Sequence, residues 1–402
     1  MVSVRIRPMA AGALALAAIA AAAIAQPAVK PPRAPGPDTL RLDQIQVVGT
    51  HNSYALPADP RVFALAAPVM KAMTEKMAKA MTPEQRATMT DEHPGGLADP
   101  IDALGYVQMP IEAQLQSGVR SLELDLQPDP DGGLYADPLP YRALAAKGAT
   151  DLKPIWREEL RKPGLKVLHV ADLDFRSQCP SFRSCLTLLR QWSDATPGHS
   201  PVFVLLEPKL AGSGGKAAAP FDARAFAEVD ASIAAVIGRD KVVTPDDVRG
   251  TMPTLEAAVL AKRWPTLAQA RGKFVFLFLV PGLNLPAFAP YLDGRPSLEG
   301  RMAFVQGKPG MAHTAFLLLD NAITRQKEIR DAVARGYLVR TRADIDTADA
   351  RRNDPRRRDA ALASGAQVIS TDYLTAPNVH GNGYHLPPFA QGWRCDRVTA
   401  RC

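Results

Sequence analysis

The sequence predicts a parallel α/β protein in which strands and helices alternate, as they do in an eight-stranded (β/α)8 barrel. Short apolar runs recur at intervals that leave room for helices, and polar residues of catalytic type follow several of these runs. The candidate strands lie at residues 44–48, 119–126, 165–170, 202–206, 241–243, 273–280, 315–319, 337–340 and 367–370. These are nine strands, one more than such a barrel needs, so we expect one to be an extra or edge strand.

Helical patterns lie between several of the candidate strands. They span residues 221–237, 255–261 and 326–335. Gly336 follows the last of them and suits a C-cap, because glycine tolerates the left-handed conformation that ends many helices.

The insert over residues 57–110 is less regular than the rest of the chain. It carries a stripe of methionines at helical spacing, Met70, Met73, Met77 and Met81. Such a stripe usually packs against the body of a protein. The alternative is an exposed, flexible apolar lip for an acyl chain beside an active site.

The N-terminal segment has the form of a secretory signal peptide over residues 1–25. Arg5 and Arg7 precede an alanine-rich apolar run that ends in a small-x-small cleavage pattern. A membrane anchor is the alternative, but the run is short and a proline-rich segment follows it. We therefore expect an exported protein, periplasmic or secreted, with a Pro/Ala-rich linker at 26–38 and a single barrel domain at 39–402.

Composition and charge narrow the classes of function. An apolar content of 47% fits a globular core. Much of the net charge of +7 comes from the arginines at 351–352 and 356–358, on a segment that is typical of an exposed helix. These arginines either form a solvated helix face or attract anionic lipid or another polyanion weakly. The sequence contains no aromatic platform and no zinc-finger spacing, so we expect no nucleic-acid partner.

The four cysteines fall in two close pairs, Cys179/Cys185 and Cys395/Cys402. In an exported chain such pairs predict local disulfides. A zinc site requires converging ligands at other spacings, which neither pair has.

Polar residues of catalytic type close the first strands of the predicted sheet. The run before Gly49 gives way to His51 and Asn52, which supply a proton-transfer group and an oxygen ligand. By itself this stretch is equally typical of a polar loop that caps a strand. Later strands repeat the pattern: His169 ends one apolar run, and Glu207 and Lys209 end another.

Glu123 and Asp125 lie two residues apart on a predicted strand, so their side chains point to the same face. Two carboxylates there resist ionisation unless positive charge lies between them. Ca²⁺ or Mg²⁺ would provide that charge, because both prefer oxygen ligands. The alternative is that the two carboxylates pair with arginines or face water.

In order and spacing, these segments resemble the catalytic X region of the Ca²⁺-dependent phosphoinositide-specific phospholipases C, in particular a secreted bacterial and fungal group. The matching segments are GTHNSY at 49–54, RSLELD at 120–125, VLHVADLDF at 167–175 and PVFVLLEPK at 201–209. Together they cover about the first half of the mature chain. The resemblance implies a distorted (β/α)8 TIM-type barrel and a phosphoric diester hydrolase.

The resemblance also implies roles for individual residues. His51 and His169 would be the catalytic histidines, and Lys209 would meet the phosphate of the headgroup. The implied Ca²⁺ ligands are Asn52, Glu123, Asp125 and Glu207, with Mg²⁺ or Mn²⁺ as less favoured ions.

The implied reaction releases diacylglycerol from phosphatidylinositol. The inositol 2-hydroxyl attacks the phosphorus and forms a cyclic phosphate, and a metal-bound carboxylate acts as base. We predict that His51 stabilises the phosphoryl oxygen and that His169 protonates the leaving oxygen, although the sequence does not fix which histidine has which role.

Residues near the C-terminus are further candidates for substrate binding. Arg342 could meet phosphate and Tyr373 could stack on a sugar-like ring, although structural salt bridging is the more usual role of such an arginine. After His169, Asp172 and Asp174 could orient the imidazole or form a turn.

Two other functions remain open from the residues. A glycerophosphodiester phosphodiesterase shares the barrel, the carboxylates and the metal, but typically has His-Arg-Gly where this chain has His51-Asn52-Ser53. A non-catalytic lipid- or sugar-binding barrel is the alternative of another class. We expect a monomer that acts on a phospholipid headgroup or a soluble phosphodiester and contacts a membrane surface transiently.

Overall fold

A computed structural model describes residues 37–83, 86, 102–210 and 219–400 of the chain. The strands within these ranges are β1 (Ile45–Thr50), β2 (Ser121–Gln127), β3 (Lys166–Val167), β4 (Val202–Pro208), β5 (Phe274–Phe278), β6 (Ala303–Val305), β7 (Phe316–Leu318), β8 (Leu338–Arg342), β9 (Val368–Thr371) and β10 (Arg394–Cys395).

The α-helices of the same ranges surround the strands. They are α1 (Pro60–Ala80), α2 (Ile111–Ser117), α3 (Leu139–Ala146), α4 (Arg157–Leu160), α5 (Phe182–Ala195), α6 (Ala223–Ser232), α7 (Pro245–Arg249), α8 (Leu255–Leu260), α9 (Leu267–Ala270), α10 (Ala289–Leu292), α11 (Gln326–Arg335), α12 (Ala348–Arg351) and α13 (Arg356–Ser364). A π-helix, Ile233–Ile237, continues α6. The C-cap predicted at Gly336 is confirmed, since this residue is left-handed with φ of 107°.

Eight strands form one parallel sheet that curls into a nearly closed barrel. Their order is β6-β5-β4-β2-β1-β9-β8-β7, so strands that follow each other in the chain are neighbours in the sheet. The seam between β6 and β7 is held by a single parallel bridge, Gln306 to Phe316. This architecture confirms the predicted α/β barrel, and the weak seam is where it departs from full closure.

Apolar side chains of the strands form the core. The five residues of β5 are all buried, as are the three of β6 and the first five of β4. Near-continuous apolar runs are typical of parallel strands that are covered on both faces. The polar residue of β4, Glu207, lies near the carboxyl end of that strand, whereas β2 alternates polar and apolar residues along its length.

Three assignments of individual strands were wrong. Residues 165–170 contribute only β3, which pairs antiparallel with the end of β2 and lies outside the barrel. Residues 241–243 form no strand, and Val242 makes one isolated bridge to Phe274. The barrel strand β6 was not predicted at all.

The arginine cluster predicted on an exposed helix lies on α12 and α13. Contrary to that prediction, Arg357 is buried, and its Nε donates to Asp349 Oδ2 at 3.2 Å. Arg356 forms an ion pair with Asp354 at 2.6 Å. Neighbouring carboxylates therefore offset part of the positive charge on this segment.

The predicted disulfide between Cys179 and Cys185 is present, with the two Cα atoms 5.0 Å apart. It fastens the first turn of α5 to the loop before it. The second predicted pair includes Cys402, which lies outside the described residues. The predicted signal peptide at 1–25 and all but the last two residues of the predicted linker at 26–38 lie outside them too. Among the helices that are described, none combines the length and apolar character needed to cross a bilayer.

Gly49 allows β1 and β2 to approach each other closely. A Cβ atom at this position would lie 2.4 Å from Ser121 Cβ and 2.8 Å from the Ser121 carbonyl oxygen. Gly49 and Ser121 are register partners, so the contact lies directly between the two strands. The glycine therefore sets the spacing between the strand that leads to His51 and the strand that carries Glu123.

We predict that Gly49→Ala destabilises the protein by about 1–3 kcal/mol, the usual cost of overpacking a core. The matched control is Gly383→Ala, because no heavy atom lies within 4 Å of a Cβ placed there. Urea denaturation of both variants measures the difference. Equal midpoints for the two variants would contradict the close-contact role of Gly49.

Candidate active site

The carboxyl ends of β1, β2, β4 and β9 place polar side chains at one mouth of the barrel. The register of β1 and β9 pairs Thr50 with Thr371, so the next residues of the two strands, His51 and Asp372, lie side by side. His51 Nδ1 lies 3.2 Å from Asp372 Oδ1. Gln108 fixes this arrangement, since its Nε2 donates to Asp372 Oδ1 at 3.0 Å and to the His51 carbonyl oxygen at 2.9 Å.

Three carboxylates meet beside His51. Asp125 of β2 and Glu207 of β4 are direct register partners, and Glu123 is two residues before Asp125 on the same face. One oxygen from each of Glu123, Asp125 and Glu207 lies within 4.8 Å of the others. The structure thus brings together three of the residues that the sequence analysis named as candidate metal ligands.

Basic side chains offset the charge of the three carboxylates. Lys209 Nζ lies 2.7 Å from Asp125 Oδ2 and 2.7 Å from Glu207 Oε1. Arg340 of β8 donates to Glu123 Oε2 at 2.8 Å and to Asp320 Oδ1 at 2.5 Å. Arg340 and Glu123 are both buried, so each removes much of the cost of burying the other.

The three carboxylates differ in their protonation behaviour. Burial raises the pKa of Glu123 to about 7, against the opposing effect of Arg340. Burial also raises the pKa of Asp125, and the Lys209 ammonium only partly offsets that effect. Glu207 is also desolvated, but the attraction and hydrogen bond of Lys209 outweigh the desolvation and lower its pKa.

His51 lies between positive and negative groups. Its Nε2 is 3.9 Å from Glu123 Oε1, on the side of the ring that faces the carboxylates. Burial, followed by the charges of Arg342 and Arg340, lowers the pKa of His51 well below its usual value. These surroundings therefore favour the neutral form of the imidazole.

His169 reaches the mouth from the loop that follows β3. Its Nδ1 lies 3.0 Å from Asp174 Oδ2, and its ring centroid is 6.5 Å from that of His51. Burial alone would disfavour the imidazolium, but the hydrogen bond to Asp174 and the negative charges of Asp174 and Asp125 together outweigh it and raise the pKa of His169. The surroundings thus shift the two histidines differently: they lower the pKa of His51 and raise the pKa of His169.

Asp172 and Asp174 have different positions in the turn after His169. Asp174 orients the imidazole of His169, whereas Asp172 has a positive φ of 61° and accepts a hydrogen bond from the Leu139 amide at 2.7 Å. Asp174 is therefore the residue that orients the His169 imidazole, and Asp172 is the residue that helps to form the turn.

Asn52 is connected to His169 by Tyr106, a residue that the sequence did not indicate. Asn52 is buried and left-handed, with φ of 43°. Its Nδ2 donates to Tyr106 Oη at 2.7 Å, and Tyr106 Oη donates to Asp174 Oδ2 at 3.1 Å. Tyr54 Oη donates to Asn52 Oδ1 at 3.4 Å, so the amide of Asn52 is held from both sides.

The two residues predicted near the C-terminus have different surroundings. Arg342 Nη2 lies 3.5 Å from Asp372 Oδ2, and its charge is one of the causes that lower the pKa of His51, so it borders the site. Tyr373 is buried, its ring lies edge-on to Tyr384, and its hydroxyl is 3.0 Å from His380 Nε2. The structure therefore places Arg342 with the histidines and Tyr373 in a neighbouring aromatic cluster.

The described residues suit a hard divalent cation. The three carboxylates supply oxygen donors from two adjacent strands, which is the ligand chemistry that Ca²⁺ prefers. Asp125 is fully buried, and Lys209 Nζ lies close to its Oδ2. Among the described residues, however, no donor makes a hydrogen bond of ordinary geometry to either oxygen of Asp125. A buried carboxylate with unused acceptor capacity is expected where a metal ion binds.

Comparison with known proteins agrees with this geometry. The family model described as phosphoinositide phospholipase C, Ca²⁺-dependent, matches residues 40–393. The calcium-dependent phosphoinositol-specific phospholipase C of a Gram-negative Pseudomonas is 16% identical, with a TM-score of 0.50 over 88% of this chain and 97% of that chain. The Ca²⁺-dependent phosphatidylinositol-specific phospholipase C of Streptomyces antibioticus is 19% identical, with a TM-score of 0.49 over 85% of this chain and 98% of that chain. No curated protein matches in sequence.

We predict that Asp174→Asn lowers the pKa of His169, because the variant loses the carboxylate that favours the imidazolium. An NMR pH titration of the His169 ring protons measures the change. Asp172→Asn is the matched control, as it alters a carboxylate of the same turn that accepts from the Leu139 amide. An unchanged His169 titration in Asp174→Asn, or an equal shift in both variants, would show that Asp174 does not set this pKa.

Proposed function

Because the chain belongs to the family of Ca²⁺-dependent phosphoinositide phospholipases C, we propose that it cleaves phosphatidylinositol with His51 and His169 as its catalytic residues. As a phosphoric diester hydrolase of this family it acts on a lipid headgroup. One observation supports the proposed roles. Two imidazoles whose pKa values are shifted in opposite directions lie with their ring centroids 6.5 Å apart, beside three carboxylates that lie close together.

We assign the metal site to Asn52, Glu123, Asp125 and Glu207. Bound there, Ca²⁺ would supply positive charge that acidifies the attacking hydroxyl and balances the charge on the phosphoryl oxygens. Lys209 bridges Asp125 and Glu207, so it already provides a cation at this edge of the cluster. The same ammonium is within reach of a phosphate that enters the mouth, which supports its predicted role in phosphate binding.

The bond changes of the proposed first step are as follows. The inositol 2-oxygen bonds to phosphorus and the bond from phosphorus to the glycerol oxygen breaks. One of the carboxylates beside His51 accepts the proton of the 2-hydroxyl. His169 donates a proton to the glycerol oxygen, since the hydrogen bond to Asp174 favours its protonated form.

His51 is suited to hold a phosphoryl oxygen. Asp372 fixes Nδ1, so Nε2 remains directed toward the carboxylate side of the mouth. An anionic phosphate beside Nε2 favours the imidazolium and opposes the effect of Arg340 and Arg342 on the pKa of His51. His51 would therefore become protonated when substrate binds, and its Nε2 could then donate a hydrogen bond to a phosphoryl oxygen.

The remaining expectations are part of the proposal. Arg342 borders His51 and would contact the phosphate or an inositol hydroxyl, and Tyr373 would shape the wall behind Asp372. We infer from the form of residues 1–25 that the protein is exported. We also infer that it is a monomer and that it contacts a membrane surface transiently.

We predict Ca²⁺-dependent release of diacylglycerol from phosphatidylinositol vesicles. His51→Ala and His169→Ala should each lower kcat by about 100- to 10,000-fold, the usual contribution of a positioned proton-transfer group. The measurement compares added Ca²⁺ with chelator, and includes glycerophosphoinositol as a second substrate. Release of glycerol phosphate from the deacylated substrate alone would instead favour a glycerophosphodiester phosphodiesterase. No turnover of either substrate would refute the proposed activity.

We predict that Ca²⁺ raises the Tm of the wild-type protein and that Asp125→Asn abolishes most of this shift. A ligand at a hundred-fold excess over Kd stabilises the folded state by about 2.7 kcal/mol. Asp131→Asn is the matched control, because Asp131 is an exposed carboxylate on the loop that follows the same strand. A Ca²⁺-dependent shift of the same size in Asp125→Asn would place the ion elsewhere.

A further inference from the structure

We propose that the groove between α1 and α3 binds one acyl chain of the lipid. The groove has a volume of about 620 Å³, within the range of small-molecule sites. Its lining is almost entirely apolar. This inference rests on the proposed function and extends it to the part of the substrate that leaves with the glycerol.

The groove is built by one face of α1. Val62, Met70 and neighbouring residues on this helix pack into a second apolar cluster beside the barrel. Val69 and Met73 line the groove but remain 61% and 59% exposed. Both interpretations of the methionine stripe thus apply, each to a different residue. Met70 packs against the body of the protein, and Met73 forms part of an exposed apolar wall.

The position of the groove indicates which ligand it binds. Val170 and Leu173 line it, and they belong to the turn that begins directly after His169 and ends at Asp174. In the proposed reaction His169 protonates the glycerol oxygen, so the diacylglycerol portion lies on the His169 side of the phosphate. The groove thus starts where the acyl chains must emerge from the site.

The charge of α1 favours a lipid over an apolar peptide as the ligand. Lys76 lies beside Val69 and Met73 on the outer surface of this helix. Lys71 and Lys79 are exposed further around the helix, together with a single acidic residue, Glu75. Lysines beside an apolar face are typical of helices that lie against anionic lipid. Phosphatidylinositol is anionic, so an apolar groove with Lys76 near its outer edge matches both parts of the molecule.

The test uses monomeric phosphatidylinositols with butanoyl, hexanoyl and heptanoyl chains, each below its aggregation concentration. For the wild-type protein we expect kcat/KM to rise at least about ten-fold from butanoyl to heptanoyl, because each buried methylene favours binding. For the double variant Val69→Ser/Met73→Ser we expect this rise to be mostly lost, with the largest defect on the longest chain. Both side chains are largely exposed, so the variant should fold.

Leu260→Ser is the matched control, since Leu260 is an exposed leucine on α8 and is 41% exposed. It should retain the wild-type dependence on chain length. A wild-type dependence in the double variant, with all lipids turned over, would overturn the acyl-chain site and leave the proposed function intact. If neither protein cleaves any of the lipids, the proposed function fails and the groove proposal falls with it. A change of oligomeric state in the double variant, measured by sedimentation, would assign the groove to a second copy of the chain and also overturn the proposal.

Discussion

The site depends on one constraint: three carboxylates, two of them buried, cannot lie this close together unless positive charge accompanies them. The parallel register of β2 and β4 makes Asp125 and Glu207 direct neighbours, and Glu123 lies on the same face of β2. Lys209 and Arg340 supply charge to this cluster from β4's end and from β8. Because the cations come from the protein, the barrel can fold with the carboxylates in place. The unused oxygens of Asp125 then remain available to a hard metal ion.

The two histidines are arranged around this cluster by carboxylates of their own. Asp372 holds His51 and Asp174 holds His169, yet the surroundings move the two pKa values in opposite directions. The hydrogen bonds from Asn52 to Tyr106 and from Tyr106 to Asp174 connect an assigned metal ligand to the orientation of His169. In the proposed mechanism, metal binding and proton donation would therefore share one set of contacts, which makes the loop after β3 as important to the site as the barrel strands.

Much of the site was predictable because its residues end apolar strands, and the carboxyl ends of parallel strands meet at one mouth. His51, Glu123 and Glu207 could each be identified in this way. The partners that tune them could not, since Asp372 lies 321 positions from His51 and Arg340 lies 217 positions from Glu123. No local pattern specifies such pairs. The short strand β6 was missed for a different reason, because its three residues belong to a barrel seam that only tertiary packing defines. The acyl groove was foreseen only as an alternative, since a methionine stripe does not show which of its members stay exposed.

A crystal structure of the protein grown with Ca²⁺ would test the metal site most directly. We expect one ion bonded to oxygens of Asn52, Glu123, Asp125 and Glu207 at about 2.3–2.6 Å. We also expect Lys209 to release at least one of the two carboxylates that it now bridges, since the ion takes over its charge. A Ca²⁺ ion bound elsewhere, or Lys209 still bridging Asp125 and Glu207 at saturating Ca²⁺ with no ion between the strand ends, would refute the assigned metal site.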